Sequence, residues 1–224
     1  MTRKRVMENT KKNGFDAAYE EAFNLACREL MNKDIYQCCK DAGADISTRL
    51  DARFLVSVKF MEKIVTIEMP EFKFTVKGSY TVDIWEKILI LHYLTNANAY
   101  PLTDSLITYR QIKSGSVYYP TFEKRSIIPF TNFFAENPDS LLNVAGHLNG
   151  EKYDSGDIGI KLMAFPFVPL YFVFWKGDDE FPASGNILFD STIEKKLSAE
   201  DVAVLCQQIV FKLIHISKKD NSNS

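Results

Sequence analysis

Asp178, Asp179 and Glu180 stand side by side in the segment Trp175-Lys-Gly-Asp-Asp-Glu-Phe-Pro, and Asp190 closes the next apolar run. If the chain doubles back there, these carboxylates return towards one another, and an oxygen-rich set of that kind suits a hard divalent cation such as Mg2+ or Ca2+. Asp178, Glu180 and Asp190 are therefore the candidate metal ligands, and a metal-assisted reaction at this loop is one functional reading. The other reading is a solvated turn, pinned by Phe181-Pro182 and tied to a basic partner. Arg110 is the expected partner: it sits in the uncharged, strand-like run Leu106-Ile-Thr-Tyr-Arg-Gln-Ile, where a guanidinium near a sheet interior needs a carboxylate. Tyr109, Arg110, Tyr118 and Trp175 make a second candidate set, for ligand binding, because aromatic faces with polar tips suit mixed pocket walls. A chain with 17 Phe and 10 Tyr also places such groups in its core without any ligand.

Other chemistries have less to build on. His92 lies in a strongly apolar stretch, His147 and His215 near other helix ends, and none has the H-x3-H or H-E-x2-H neighbourhood of a metal site. Cys27, Cys38, Cys39 and Cys206 lack the spacing of a zinc or cluster site, and Cys27 and Cys206 read as small core residues, with Cys38-Cys39 the pair to watch for reactivity. Gly156-Asp-Ile-Gly159 precedes a strand rather than a helix and lacks the glycine spacing of a phosphate-binding loop. A G-x-S-x-G elbow is absent. Beyond the divalent cation, no cofactor is called for.

The 27 basic and 29 acidic residues leave a formal charge of -2, without the clustered positive charge that nucleic acid requires. The most apolar run, Leu162 to Trp175, is shorter than the roughly 20 residues of a membrane helix and contains Pro166 and Pro169. Met1-Thr-Arg-Lys-Arg leads into polar sequence rather than the apolar core of a secretory signal. With no disulfide pattern, these features place the chain in the cytoplasm, with neither nucleic acid nor membrane as partner.

The elements that must position the candidates are legible in outline. Phe15, Ala18, Tyr19, Ala22, Phe23, Ala26 and Leu30 mark an amphipathic helix. Asp34 caps a second short helix that Gly43 ends. Phe54–Phe60 and Ile64–Met69 form a hairpin, continued by Phe72–Val76 as a meander. Ser79 or Thr81 caps a helix through Leu94, apolar on most sides and expected to pack against the strands of Leu162 to Trp175. A strand is expected over Leu106 to Ile112, short helices over Phe122 to Leu148, and central strands within Lys161 to Asp190. Ser198-Ala-Glu-Asp reads as a capping box opening a terminal helix.

Ile90-Leu-His-Tyr-Leu, Tyr109-Arg110 with Gly115 and Tyr118, Trp175-Lys-Gly-Asp-Asp-Glu-Phe-Pro, Ile187-Leu-Phe-Asp-Ser and Leu197-Ser-Ala-Glu-Asp carry a resemblance. Together they resemble an uncharacterised domain-of-unknown-function family of anaerobic bacteria and archaea. Some of its members are fused to an iron-sulfur-cluster domain. The resemblance covers roughly residues 15 to 215 and is most specific at the acidic segment. It implies a domain that works beside redox or one-carbon chemistry without performing it. The cluster cysteines of the fused members have no counterpart here.

The reading is a single α+β domain over residues 15–217, with a mostly antiparallel or mixed sheet flanked by helices and loose tails at 1–14 and 218–224. Its expected role is a non-catalytic module binding a small molecule or a protein, with a metal-assisted enzyme at Asp178 to Glu180 as the alternative.

Overall fold

A computed structural model describes residues 2–49, 53–78 and 81–222, with side chains for 16–49, 53–78, 81–220 and 222. The architecture is α+β, with a four-stranded and a five-stranded sheet, both antiparallel in their registered pairs. Contacts group the chain into two compact units, Met1–Val58 with Ile64–Ala97, and Lys59–Lys63 with Asn98–Ser224. No helix among the described residues is long and apolar enough to cross a membrane.

In the first unit, α1 (Thr2–Met31) and α2 (Ile35–Ala42) precede a meander of β1 (Asp45–Thr48), β2 (Phe54–Phe60), β3 (Lys63–Met69) and β4 (Lys73–Val76) in sequential order. The ends of α2 follow from two residues. Asp34 accepts the amide of Gln37 at 3.1 Å, and Gly43 takes the left-handed conformation, φ 64°, that a side chain would resist. Val56 and Val58 of β2 and Val65, Ile67 and Met69 of β3 are buried at alternate positions, the period of a sheet with one face on the core. α3 (Ile84–Asn96) is capped by Asp83, with Glu86 bonding back to the Asp83 amide at 3.0 Å, and not by Thr81 as the sequence predicts; Ser79 lies outside the described residues. Within its own unit α3 finds its apolar cover in α1 and α2, and Tyr93 donates from its hydroxyl to the Ala42 carbonyl at 2.9 Å. The strands of Leu162 to Trp175, expected as that cover, belong to the other unit.

The second unit holds β5 (Leu106–Thr108), β6 (Glu151–Tyr153), β7 (Ile158–Phe165), β8 (Val168–Trp175) and β9 (Ser184–Asp190), in the spatial order β5-β9-β8-β7-β6. β8 is the central strand, buried from Val168 to Phe174, as its unbroken apolar run requires. Phe172 and Phe174 share one face and meet Phe130 edge-on, with ring centroids 5.5 and 6.1 Å apart. Phe130 belongs to a long helical segment, α4 (Gly115–Phe122) and α5 (Ile128–Glu136), joined through a π-helical turn at Glu123–Ile127. Pro129 has no amide to donate and crowds the carbonyl four residues back, so the ladder widens, and the Ile128 amide reaches Glu123 instead. α6 (Ser140–Gly146) and α7 (Ala199–Ser222) complete the unit.

α7 opens on the expected capping box: the Ser198 amide donates to Asp201 and the Asp201 amide to the Ser198 hydroxyl, each at 3.1 Å. It continues to Ser222, beyond the predicted end at residue 217, and the Ser222 hydroxyl donates to the Lys218 carbonyl at 2.8 Å. The side chains of residues 1–14, expected as a loose tail, lie outside those described.

Candidate functional site

The acidic turn between β8 and β9 is held by its own backbone. Asp178 accepts the amides of Phe181 at 2.7 Å and Glu180 at 2.9 Å, and the Asp178 amide donates to the Phe181 carbonyl at 2.9 Å. Those two amides hold the exposed Asp178 carboxyl below the usual carboxylate range. Gly177 is required for this closure, since a Cβ there would lie 2.7 Å from the Ala183 amide nitrogen. Phe181 in the turn is 68% exposed, and Trp175, at the last position of β8, is exposed as well.

Asp190 is elsewhere. Trp175 pairs with Ser184 at the start of β9, whereas Asp190 ends that strand, roughly 20 Å away at about 3.3 Å per residue. The expected convergence of Asp178, Glu180 and Asp190 on a cation is therefore not formed. Among the described residues no group of three His, Cys, Asp or Glu side chains is placed to hold a metal ion. β9 runs straight away from the turn instead of folding back on it, which carries Asp190 to the far end of the strand.

Asp190 itself is 2% exposed and accepts five hydrogen bonds. Its Oδ1 takes the amide and hydroxyl of Thr192 at 2.9 and 2.7 Å. Its Oδ2 takes the amide and hydroxyl of Thr103 at 2.9 and 3.1 Å, and the amide of Asp104 at 2.8 Å. Burial pushes its pKa up, but the hydrogen bonds from Thr192, Thr103 and Asp104 outweigh that and hold the carboxyl below its ordinary value. The residue is a structural junction between the 103–104 segment and the 3-10 turn Ser191–Lys195.

Arg110 does not pair with any of the three carboxylates. The expected strand Leu106 to Ile112 stops at Thr108, where Gln111 accepts the Thr108 amide at 2.8 Å and hydroxyl at 3.0 Å and bends the chain into a 3-10 turn. That turn faces Arg110 to solvent, and its guanidinium stacks on Tyr119, 3.4 Å from the ring centroid. Tyr109 goes inwards. It is 1% exposed, lies flat against Phe122 at 3.9 Å and 2°, and donates from its hydroxyl to the Ala199 carbonyl at 2.8 Å. Burial first, then the neighbouring Cys206, Tyr118 and Glu200, push its pKa up to about 12. Tyr109 thus supports the start of α7 rather than a ligand.

Of the four aromatic and basic candidates, Tyr118 lines a concave surface at the start of α7. It lines a cleft of about 280 Å3 with Ile112, Lys113, Glu194, Ser198 and Glu200. The cleft is shaped by Ser114, held at φ 66° between the Ile112 turn and α4, and by the Lys113 amide donating to Glu194 at 3.2 Å. Tyr109, directly behind, fixes Ala199 and so the first turn of α7. Trp175, at the end of β8 beside the acidic turn, does not line it. Lys113, Glu194 and Glu200 escaped the sequence reading because isolated charges between apolar residues carry no spacing signal. Ser198 is legible in the sequence as a cap but not as a wall.

All four cysteines are free, and burial pushes the thiol of Cys27 up to about 11 and that of Cys39 to about 12, with Cys38 and Cys206 also raised. His147 meets Asp220 at 3.2 Å on the surface.

Fold and site together describe an α+β protein built on two sheets, with a polar cleft at the start of its last helix. The family model of DUF3786, a domain of unknown function, matches residues 34–212, and the chain belongs to that family. No curated protein and no solved structure matches it.

Proposed function

We propose that this protein is a non-catalytic module that seats a small ligand in the cleft at the start of α7. It would serve as a cytoplasmic accessory to anaerobic redox or one-carbon metabolism. The observation that carries the reading is the cleft itself, where the Tyr118 ring stands beside Lys113, Glu194, Ser198 and Glu200. An aromatic wall with a few polar groups is the usual make-up of a small-molecule site. The raised thiols and the hydrogen-bonded Asp190 support binding over reaction, because neither is available as nucleophile or base. The metabolic setting rests on the resemblance to a family with members joined to iron-sulfur domains. A protein partner is the second reading, supported by the exposed Phe181 and Trp175 at one end of the sheet.

The test is a thermal-shift panel of folates, flavins, nicotinamides, purine nucleotides and small carboxylic acids, run on the native protein and on Tyr118→Ala. At least one class is expected to raise Tm in the native protein, and Tyr118→Ala to remove that rise. A panel without a shift, or a shift that survives both Tyr118→Ala and Glu200→Ala, overturns the ligand reading at this cleft. Complex formation that depends on Phe181 and Trp175 would then favour the partner.

A further inference from the structure

Lys196 is 0% exposed and is the one buried cation among the described residues. Its ammonium has three donors, yet the hydrogen bond it makes is a long one, 3.4 Å to the Tyr100 carbonyl. Among the described residues no carboxylate lies within ion-pair distance of it. Burial draws its pKa down, and the charge of Asp190 opposes that. Asp190 cannot turn to it, because a carboxylate has about four lone-pair positions and this one already accepts five donors. Buried charges are ordinarily paired, and one left without its counter-ion marks a place where a folding rule has been set aside for another purpose.

The segment that bonds to Lys196 has the build of a gate. Residues 98–105 form no helix or strand, and none of their side chains is buried. They are fastened by polar contacts: Asn98 to the Lys195 carbonyl at 2.7 Å, Thr103 and Asp104 to Asp190, the Thr103 hydroxyl to that of Ser191 at 2.7 Å, and the Ser191 amide to the Ser105 carbonyl at 2.9 Å. A segment without buried apolar anchors opens at little cost compared with global unfolding.

We propose that residues 98–105 are a strap over Lys196, clasped by Asp190, and that the uncovered ammonium binds a small oxyanion, a carboxylate or a phosphate. The site is separate from the cleft and stands or falls without it. Opening breaks the long Tyr100 contact and the clasp, and the anion supplies the counter-charge that the closed form lacks.

Trace acetylation of the amines, read peptide by peptide by mass spectrometry on the full chain, tests this. In the native protein Lys196 is expected to react far more slowly than its exposed neighbour Lys195. Thr103→Ala removes the hydroxyl's bonds to Asp190 and Ser191 and should raise Lys196 labelling about five- to tenfold with Lys195 unchanged. Asp190→Asn should raise it further, and Thr103→Ala stands in should that variant not fold. Acetate and inorganic phosphate are then added separately to Thr103→Ala, with chloride as control. Protection of Lys196 by acetate alone assigns a carboxylate, and by phosphate alone a phosphate. Unchanged labelling in Thr103→Ala overturns the strap, and protection by neither anion overturns the site.

Discussion

Asp178 and Asp190 bracket the same stretch of chain, carry the same side chain and have pKa values lowered for the same kind of reason, yet they do different physical work. At Asp178 the amides of Phe181 and Glu180 fill an exposed turn whose water could replace every bond. At Asp190 five donors from three residues converge on a buried carboxylate that holds two separate segments together. The hydrogen bonds differ in number, two against five, but little in kind. What differs is the alternative open to the donors when the acceptor is lost: solvent in the first case, and for the buried Thr192 amide and hydroxyl none in the second. Burial, rather than charge, decides which acidic residue matters to the fold.

The sharpest way to break that comparison is Asp190→Ala. It strands the buried amide and hydroxyl of Thr192, releases Thr103 and Asp104 and leaves Lys196 with less compensation, so urea unfolding should lose about 3 to 5 kcal/mol. A loss below about 1 kcal/mol would put Asp190 in the same class as an exposed turn residue.

Acid titration sharpens the same point. The folded pKa of Asp190 is lowered, so its contribution is fully present above the unfolded value of about 3.9 and is lost as pH falls through the lower folded value. Amide resonances of Thr103 and Asp104 should move only below the ordinary carboxylate range, together with the loss of stability. Lys196 has the opposite profile. Its lowered pKa costs stability at neutral pH, and stability should climb as pH rises from the folded value towards about 10.4. Lys196→Met should abolish that alkaline rise in Tm without lowering the neutral value.

Arg110→Ala removes a stack on Tyr119 at the surface and should cost about 0.5 to 1 kcal/mol by chemical denaturation. A loss of several kcal/mol would restore the buried ion pair that the sequence predicts. Smallest of all, Asp178→Ala should leave Tm unchanged while hydrogen exchange at the Phe181 and Glu180 amides quickens. A clear fall in Tm would mean that the turn is a structural clasp after all.

Much of the fold was legible because local patterns and global packing agree. The apolar runs of Leu162 to Trp175 became β7 and β8, the alternation of Phe54–Phe60 and the residues after it became β2, β3 and β4 of a meander to which Asp45–Thr48 adds an unexpected first strand, and Asp34, Gly43 and Ser198 sit at the helix ends their chemistry predicts. These features depend on residues at most a few positions apart, and the α+β class follows from them. The sites were less legible for a stated reason in each case. Arg110 has the surroundings of a strand residue in the sequence, because Gln111 gives no outward sign that it folds back on Thr108. Tyr109 and Tyr118 look alike in sequence, and only the packing of Phe122 and Ala199 sends one inwards and leaves the other on a cleft wall.

The sequence by itself determined the strands, the caps and the family, since hydrophobic period and side-chain reach act over short stretches. Only the tertiary fold sets which carboxylate is buried, which buried lysine lacks a counter-ion, and where a cleft opens. Those properties depend on groups brought together from Thr103, Asp190 and Lys196, up to 93 positions apart as read from their numbers, and no local pattern records such a meeting.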